Sequence, residues 1–172
     1  MSAFLIVVLI VIIILLSAAV AYAAPWIPTW QKDIERILSL ARIEPNKKFY
    51  DLGCGDGRLV VAAAKKGAQS VGIELSILPY IFGKIRALKS GEPTKIIFKN
   101  FFRADLSDAD AVYMFLTPPI MPKIGAKLEA ELKPGALAIS YHFPIPGWEA
   151  IEVNRLKDRP TIYVYQKRIN PL

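Results

Sequence analysis

The sequence predicts an α/β domain on a doubly wound, mostly parallel sheet of seven strands, preceded by one N-terminal transmembrane helix. Three observations carry this. From Phe49 to Tyr141, short runs rich in β-branched and aromatic residues alternate with helical periodicities, and that order gives parallel strands with helices on both faces. Two closing runs, 150–156 and 161–166, read as an antiparallel pair. Residues 1–24 hold no charge, although the 172-residue chain carries 22 Lys+Arg and 15 Asp+Glu.

The uncharged stretch accounts for the high hydrophobic content of 53%. Ala3 to Ala24 is almost pure Leu, Ile, Val and Ala, and as a helix it reaches roughly 33 Å, enough for a hydrocarbon core about 30 Å thick. A cleavable signal peptide is the alternative, because Ala21-Tyr22-Ala23 resembles a small-x-small cleavage site. Against it, positions 1–4 lack Lys and Arg, and the apolar run exceeds the usual 7–15 residues, roughly, of such a peptide. Lys32, Arg36 and Arg42 follow the span and nothing basic precedes it, so the positive-inside tendency puts the following domain on the cytoplasmic side. Trp26 and Trp30 suit an interfacial belt or packing under the domain. The chain therefore divides into an anchor (1–24), a proline-stiffened linker (25–30) and a domain (31–172).

Within the domain, Thr29 is placed to cap a first helix whose apolar face is Ile34, Ile37, Leu38 and Ala41, and Pro45 ends it. Strands follow over 49–52, 70–74, 95–99, 109–116 and 137–141, with helices over 58–66, 77–90 and 123–132. Gly91 stands just past the second of these helices as a C-cap. The single cysteine and single histidine exclude an internal disulfide, a multi-cysteine zinc site and a His-rich metal centre. The net charge of +7 does not by itself imply nucleic acid, and none is expected as a partner.

The informative stretch is Tyr50-Asp51-Leu52-Gly53-Cys54-Gly55-Asp56-Gly57-Arg58, between a strand and a helix. Glycines there permit a tight turn and close backbone approach to a ligand. The spacing G-x-G-x-G is not the dinucleotide fingerprint, and no Gly-Lys-Ser/Thr of a phosphate-binding P-loop is present. Asp51 and Asp56 would repel a pyrophosphate and suit a ligand that brings positive charge. Glu74 ends the next strand, 23 positions after Asp51, where a carboxylate reaches a ribose. Ribose, ammonium and sulfonium together describe S-adenosylmethionine. Cys54 has no histidine near it in sequence and reads as a small loop residue.

Asp-x-Gly-x-Gly-x-Gly with an acid ending the following strand resembles the class I, seven-strand S-adenosylmethionine-dependent methyltransferases, whose fold is Rossmann-like. The resemblance implies that Asp51 meets the ammonium of S-adenosylmethionine, that Gly53, Gly55 and Gly57 shape the loop beside it, and that Glu74 holds its ribose. It further implies that Asn100 accepts from the adenine amine, where the family usually has an acid, and that Phe101 covers the adenine face. Asn100-Phe101-Phe102, Glu131-Leu132-Lys133-Pro134-Gly135, residues 140–148 (SYHFPIPGW) and Ile27-Pro28-Thr29 narrow the likeness. Together they resemble the small protein-lysine methyltransferases: the archaeal broad-specificity enzyme and the mitochondrial enzymes acting on adenine nucleotide translocase and on the c-ring protein of ATP synthase. That likeness adds Thr29 to the cofactor set.

In such an enzyme the protein supplies position rather than a covalent nucleophile, holding a neutral amine in line with the methyl group. Burial in an apolar channel favours the neutral form of a lysine amine. The channel is expected at the topological switch point, where the sequence reads Phe115-Leu116-Thr117-Pro118-Pro119. Thr117 and Pro118 are its candidate lining, with Tyr141, Phe143 and Trp148 as candidate aromatic walls. The Asn-Pro-Pro-Tyr signature of exocyclic-amine and glutamine methylation is absent, since Thr117 and Ile120 replace Asn and Tyr. His142 reads as a structural hydrogen-bonder rather than a base. The expected function is thus a membrane-anchored protein-lysine N-methyltransferase. Its rivals are a small-molecule or lipid methyltransferase and a cofactor-binding pseudoenzyme in a membrane complex.

Overall fold

Strand β1 (Lys48–Leu52) forms the middle of the sheet, and the chain leaves it first to one side and then to the other. The computed structural model describes residues 6–8, 10–11 and 27–168. Helix α1 (Ile34–Leu40) precedes β1; α2 (Arg58–Lys65), β2 (Gln69–Glu74), α3 (Ile77–Ser90) and β3 (Thr94–Phe98) follow. Then come β4 (Ala111–Met114), α4 (Met121–Glu131), β5 (Leu137–Tyr141), β6 (Glu152–Asn154) and β7 (Ile162–Gln166).

The seven strands lie in the order β3-β2-β1-β4-β5-β7-β6, the first five parallel and β7 antiparallel to both β5 and β6. Order reverses between β1 and β4, which makes their C-terminal ends the switch point where ligands of such sheets bind. Side chains alternate across the sheet. One set, including Phe49, Tyr113 and Ile139, packs under α1 and α2. Cys54 and Ile96 extend that face toward α3. The other set, including Leu52, Val112 and Ala138, packs against Ile124 and Leu128 of α4. The predicted doubly wound seven-stranded architecture is therefore present.

Three local expectations are corrected. Thr29 caps no helix: its hydroxyl hydrogen-bonds the Tyr113 hydroxyl at 2.8 Å, and a 3-10 turn, Gln31–Asp33, leads into α1. Helix α1 stops before Pro45, at Arg42, whose φ of 49° is left-handed; the Ile43 N–H closes back onto the Leu38 carbonyl at 3.1 Å. The fourth strand ends at Met114 rather than 116, so Phe115 and Leu116 turn into the loop above the sheet. Of the expected transmembrane helix, residues 6–8, 10 and 11 are described, all helical, and the rest lies outside the described residues. Among the described residues no helix is long and apolar enough to cross a membrane.

Candidate active site

A cavity of about 380 Å³ opens above the C-terminal ends of β1, β2 and β4. The glycine loop forms one wall. Gly53 and Gly55 take positive φ, 78° and 55°, and the N–H groups of Gly53 and Cys54 both donate to the Ile73 carbonyl, which ties the loop to β2. Glu74 fixes it further. Its Oε2 accepts from the Gly55 N–H at 2.9 Å, while Oε1 accepts from the N–H groups of Leu75 at 2.9 Å and Ser76 at 2.7 Å. The strand-end acid thus holds the loop as well as facing the cavity.

Asp51 lies in the cavity wall, 3% exposed, and no donor or cation pairs with its carboxylate among the described residues. Burial, then the neighbouring Glu74 and Asp56, push its carboxyl well above the ordinary carboxylate range. Asp56 stands apart from this pair. Arg58 and Arg86 each meet its Oδ2 at 2.8 Å. Burial disfavours the Asp56 charge, but the two guanidinium groups outweigh it and hold the carboxyl low. The expectation that both loop acids confront a cationic ligand is corrected to Asp51 alone, with Glu74 as its partner in the wall.

The opposite walls are aromatic and apolar. Phe101 and Phe102 lie with ring centroids 4.7 Å apart in the turn after β3, and Tyr113, Phe115 and Leu116 descend from β4. The Asn100 side-chain oxygen accepts from the Phe102 N–H at 2.9 Å, capping that turn. The Lys123 ammonium sits 4.4 Å from the Phe102 ring centroid and borders the cavity. Ile27, Pro28 and Thr29 cross the rim, and Arg58 clips them down by donating to the Thr29 carbonyl at 3.2 Å.

Asp51, Gly53, Gly55, Glu74, Asn100, Phe101 and Thr29 are therefore brought together around one cavity. Gly57 is not among its lining residues: its φ is 71°, and a Cβ there would lie 3.3 Å from Gly83 Cα, so it serves helix packing. Thr117 and Pro118 lie outside the lining, which takes Phe115, Leu116 and Pro119 from the same turn. Tyr141 is buried behind the cavity, where its hydroxyl donates to Asp33 Oδ2 at 2.7 Å. Phe143 and Trp148 pack against the opposite core, and exposed His142 borders no part of the cavity. Burial and the carboxylates of Asp51 and Glu74 push the Cys54 thiol up, which suits a packing role. Sequence reasoning missed Tyr113 and Lys123. Tyr113 was within reach, since period-two alternation puts it on the same side as Phe115; no sequence pattern marks Lys123.

The arrangement fits S-adenosylmethionine. A buried, unpaired carboxylate at the wall of an otherwise apolar cavity is costly unless a cation meets it. Beside it stand open loop backbone, a strand-end acid and stacked aromatic rings. The family described as "ANTKMT methyltransferase domain" matches residues 51–152. The chain belongs to this family of methyltransferases. Its cofactor is S-adenosylmethionine.

The methyltransferase is 36% identical to the protein-lysine N-methyltransferase of Saccharolobus islandicus, over 82% of this chain and 92% of that one. It is 34% identical to the mouse adenine nucleotide translocase lysine N-methyltransferase, over 75% of this chain and 57% of the relative. With the mouse lysine N-methyltransferase named for the c-ring protein of ATP synthase it shares 33% identity, over 72% of this chain and 51% of the relative. The chain thus spans nearly all of the archaeal relative and little more than half of the mouse ones. Among solved structures, an RNA methyltransferase from Salinibacter ruber in complex with S-adenosyl-L-homocysteine superposes with a TM-score of 0.81 at 30% identity, covering 85% of this chain and 97% of the other. The resemblance read from the glycine loop and the Asn-Phe-Phe turn is borne out.

Proposed function

We propose that this methyltransferase is a protein-lysine N-methyltransferase held at a membrane by its N-terminal segment, with the catalytic domain on the cytoplasmic side. The observation that carries the reaction is the unpaired Asp51 carboxylate in a cavity walled by Phe101, Phe102, Phe115 and Tyr113. Bound S-adenosylmethionine supplies a methyl group activated by an adjacent sulfonium. Asp51 would hold its ammonium, Glu74 its ribose, and Asn100 with Phe101 its adenine. The apolar rings exclude water and favour the neutral form of an entering lysine amine. With no histidine or carboxylate base required, the amine sheds its proton to solvent on the way in. The names borne by the archaeal and mouse relatives support lysine as the acceptor.

Anchoring is supported by the uncharged stretch 1–24, in which Ile6, Val7, Val8, Ile10 and Val11 are aliphatic, helical and exposed. The linker that follows runs onto the cavity rim at Ile27. Tethering raises the effective concentration of membrane-bound targets.

The test is labelling of membrane and soluble fractions with methyl-labelled S-adenosylmethionine, using the full chain and Asp51→Asn. Label released as methyllysine by protein hydrolysis, and absent with the variant, is the expected result. The solved Salinibacter structure bears the name of an RNA methyltransferase, which gives a second reading. Label that ribonuclease removes and protease leaves would establish that one instead.

A further inference from the structure

Helix α3 (Ile77–Ser90) turns an apolar face outward. Its inward face is narrow and made of small residues: Pro79 and Gly83 are its buried positions. On the opposite side Ile77, Leu78, Ile81, Ile85 and Leu88 are between 42% and 77% exposed. At 100° per residue these five occupy one continuous arc, pointing directly away from the sheet. Lys84 bounds the arc on one side and Lys89 on the other, both exposed, and neither forms a salt bridge among the described residues. Helix α3 carries no acidic residue. A soluble surface helix places its charges where α3 places its aliphatic residues.

The patch does not stop at the helix. The adjoining β3 forms the edge of the sheet, with Lys95, Phe98 and Lys99 exposed, and Phe98 packs against Tyr80 of α3 with ring centroids 5.3 Å apart. At its other end the patch runs into the cavity: Leu75, Ser76 and Pro79 line it, and Leu75 is itself exposed. Ile27 lines the same rim and is exposed, and it is the point where the uncharged residues 1–24 lead into the domain. The apolar helix face, the cavity mouth and the approach of the uncharged segment are therefore neighbours.

The geometry points to α3 as a membrane-docking helix that lies in the surface of an anionic bilayer and sets the mouth of the methyl-transfer cavity at headgroup level. Aliphatic side chains on one face, bounded by lysines, are what an interfacial helix needs: the apolar stripe enters the headgroup–acyl boundary while the ammonium groups reach anionic headgroups. A second copy of the chain is a poorer occupant. Two-fold pairing through α3 would bring its lysines toward those of its mate with no acid on either helix. The substrate corollary, a lysine amine at the depth of the headgroups, rests on the methyl-transfer reading above; the docking does not.

The experiment places an environment-sensitive nitrobenzoxadiazole probe on the full chain at Ile85→Cys, at Leu88→Cys and, as a control on α4, at exposed Ala130→Cys. Native Cys54 is buried and remains. The protein is reconstituted in phosphatidylcholine vesicles with and without phosphatidylglycerol, some carrying nitroxide-labelled acyl chains. Docking predicts a blue shift and nitroxide quenching at positions 85 and 88, stronger with the anionic lipid, and neither at 130. Probes at 85 and 88 as wet as the one at 130 overturn the proposal. So does a blue shift without nitroxide quenching, which means that protein covers the face. In a parallel arm, Ile85→Glu with Leu88→Glu should lower methylation of a lysine on a membrane-embedded peptide by about tenfold or more and leave the same lysine on a water-soluble peptide unchanged. Equal effects on the two peptides overturn the corollary. Methylation of neither peptide by the unaltered chain refutes the lysine reading, and the probes still decide the docking.

Discussion

The Gly55 N–H donates to Glu74 Oε2 at 2.9 Å, so the acid at the end of β2 anchors the glycine loop that follows β1. Together with the N–H groups of Leu75 and Ser76 this fills three of roughly four lone-pair sites on the carboxylate. A glutamine has one oxygen and must turn an N–H₂ group toward at least one of those donors. Glu74→Gln is therefore expected to lose stability by roughly 1.5–3 kcal/mol, the worth of a hydrogen bond to a charged group. It should also lose cofactor affinity by about tenfold or more. Thermal unfolding and calorimetric titration with S-adenosylmethionine check both, and an unshifted melting temperature would mean that the carboxylate does not hold the loop.

Asp51 behaves differently because nothing among the described residues pairs with it. Its carboxyl lies well above the ordinary value of 3.8, by burial and by the proximity of Glu74 and Asp56. The folded, cofactor-free chain thus retains a proton that the unfolded chain releases, and its stability falls as pH rises from 3.8 toward the folded-state value. A cation seated against Asp51 reverses the shift, so binding expels a proton and tightens as pH rises through that same window. Calorimetry in two buffers of different ionisation enthalpy should give different binding heats. Asp51→Asn should remove the difference, weaken binding, and stabilise the cofactor-free protein by roughly 0.5–2 kcal/mol. Identical heats in both buffers would dismiss the unpaired carboxylate.

Helices α2 and α3 cross through their glycines. A Cβ at Gly57 would meet Gly83 Cα at 3.3 Å, and a Cβ at Gly83 would meet the Gly55 carbonyl oxygen at 3.1 Å. Gly83→Ala must push α3 outward from the loop by a few tenths of an ångström. Gly57→Ala adds the strain of a left-handed φ of 71°. Both variants should unfold at lower temperature, Gly57→Ala by about 1 kcal/mol or more. Only Gly83→Ala, acting through the Gly55 carbonyl, should weaken cofactor binding disproportionately. Equal binding losses in the two variants would contradict this division.

The residues legible in the sequence are those whose role is local. A turn that needs positive φ writes glycines at 53 and 55, and a strand end that needs a carboxylate writes Asp51 and Glu74. What the sequence conceals is pairing across distance. Arg86 neutralises Asp56 from 30 residues away on α3, and only the folded crossing of α2 and α3 brings them together. Tyr141 looks like a channel wall because it follows a strand near the switch point. Its direction, however, is set by alternation in β5, which sends it under α1 to Asp33 rather than toward the cavity.

That last contact makes Tyr141 a test of structure against catalysis. Asp33 is fully buried at the start of α1 and is held by the Tyr141 hydroxyl at 2.7 Å, Arg159 at 2.9 Å and Arg36 at 3.3 Å. Burial opposes its charge, but the hydrogen bonds from Tyr141, Arg159 and Arg36 prevail and keep the carboxyl below its ordinary 3.8. An acid lowered by folding contributes stability above its unfolded value and loses it as pH falls through the folded one. Tyr141→Phe removes one donor to a charged partner, at a cost of roughly 1.5–3 kcal/mol at neutral pH. The gap from the unaltered protein should narrow as pH falls toward and through 3.8, where Asp33 takes up its proton. Since Tyr141 lines no part of the cavity, kcat and KM measured well below the melting temperature should be unchanged. A large fall in kcat with unaltered stability would return Tyr141 to the reaction and displace it from the Asp33 cluster.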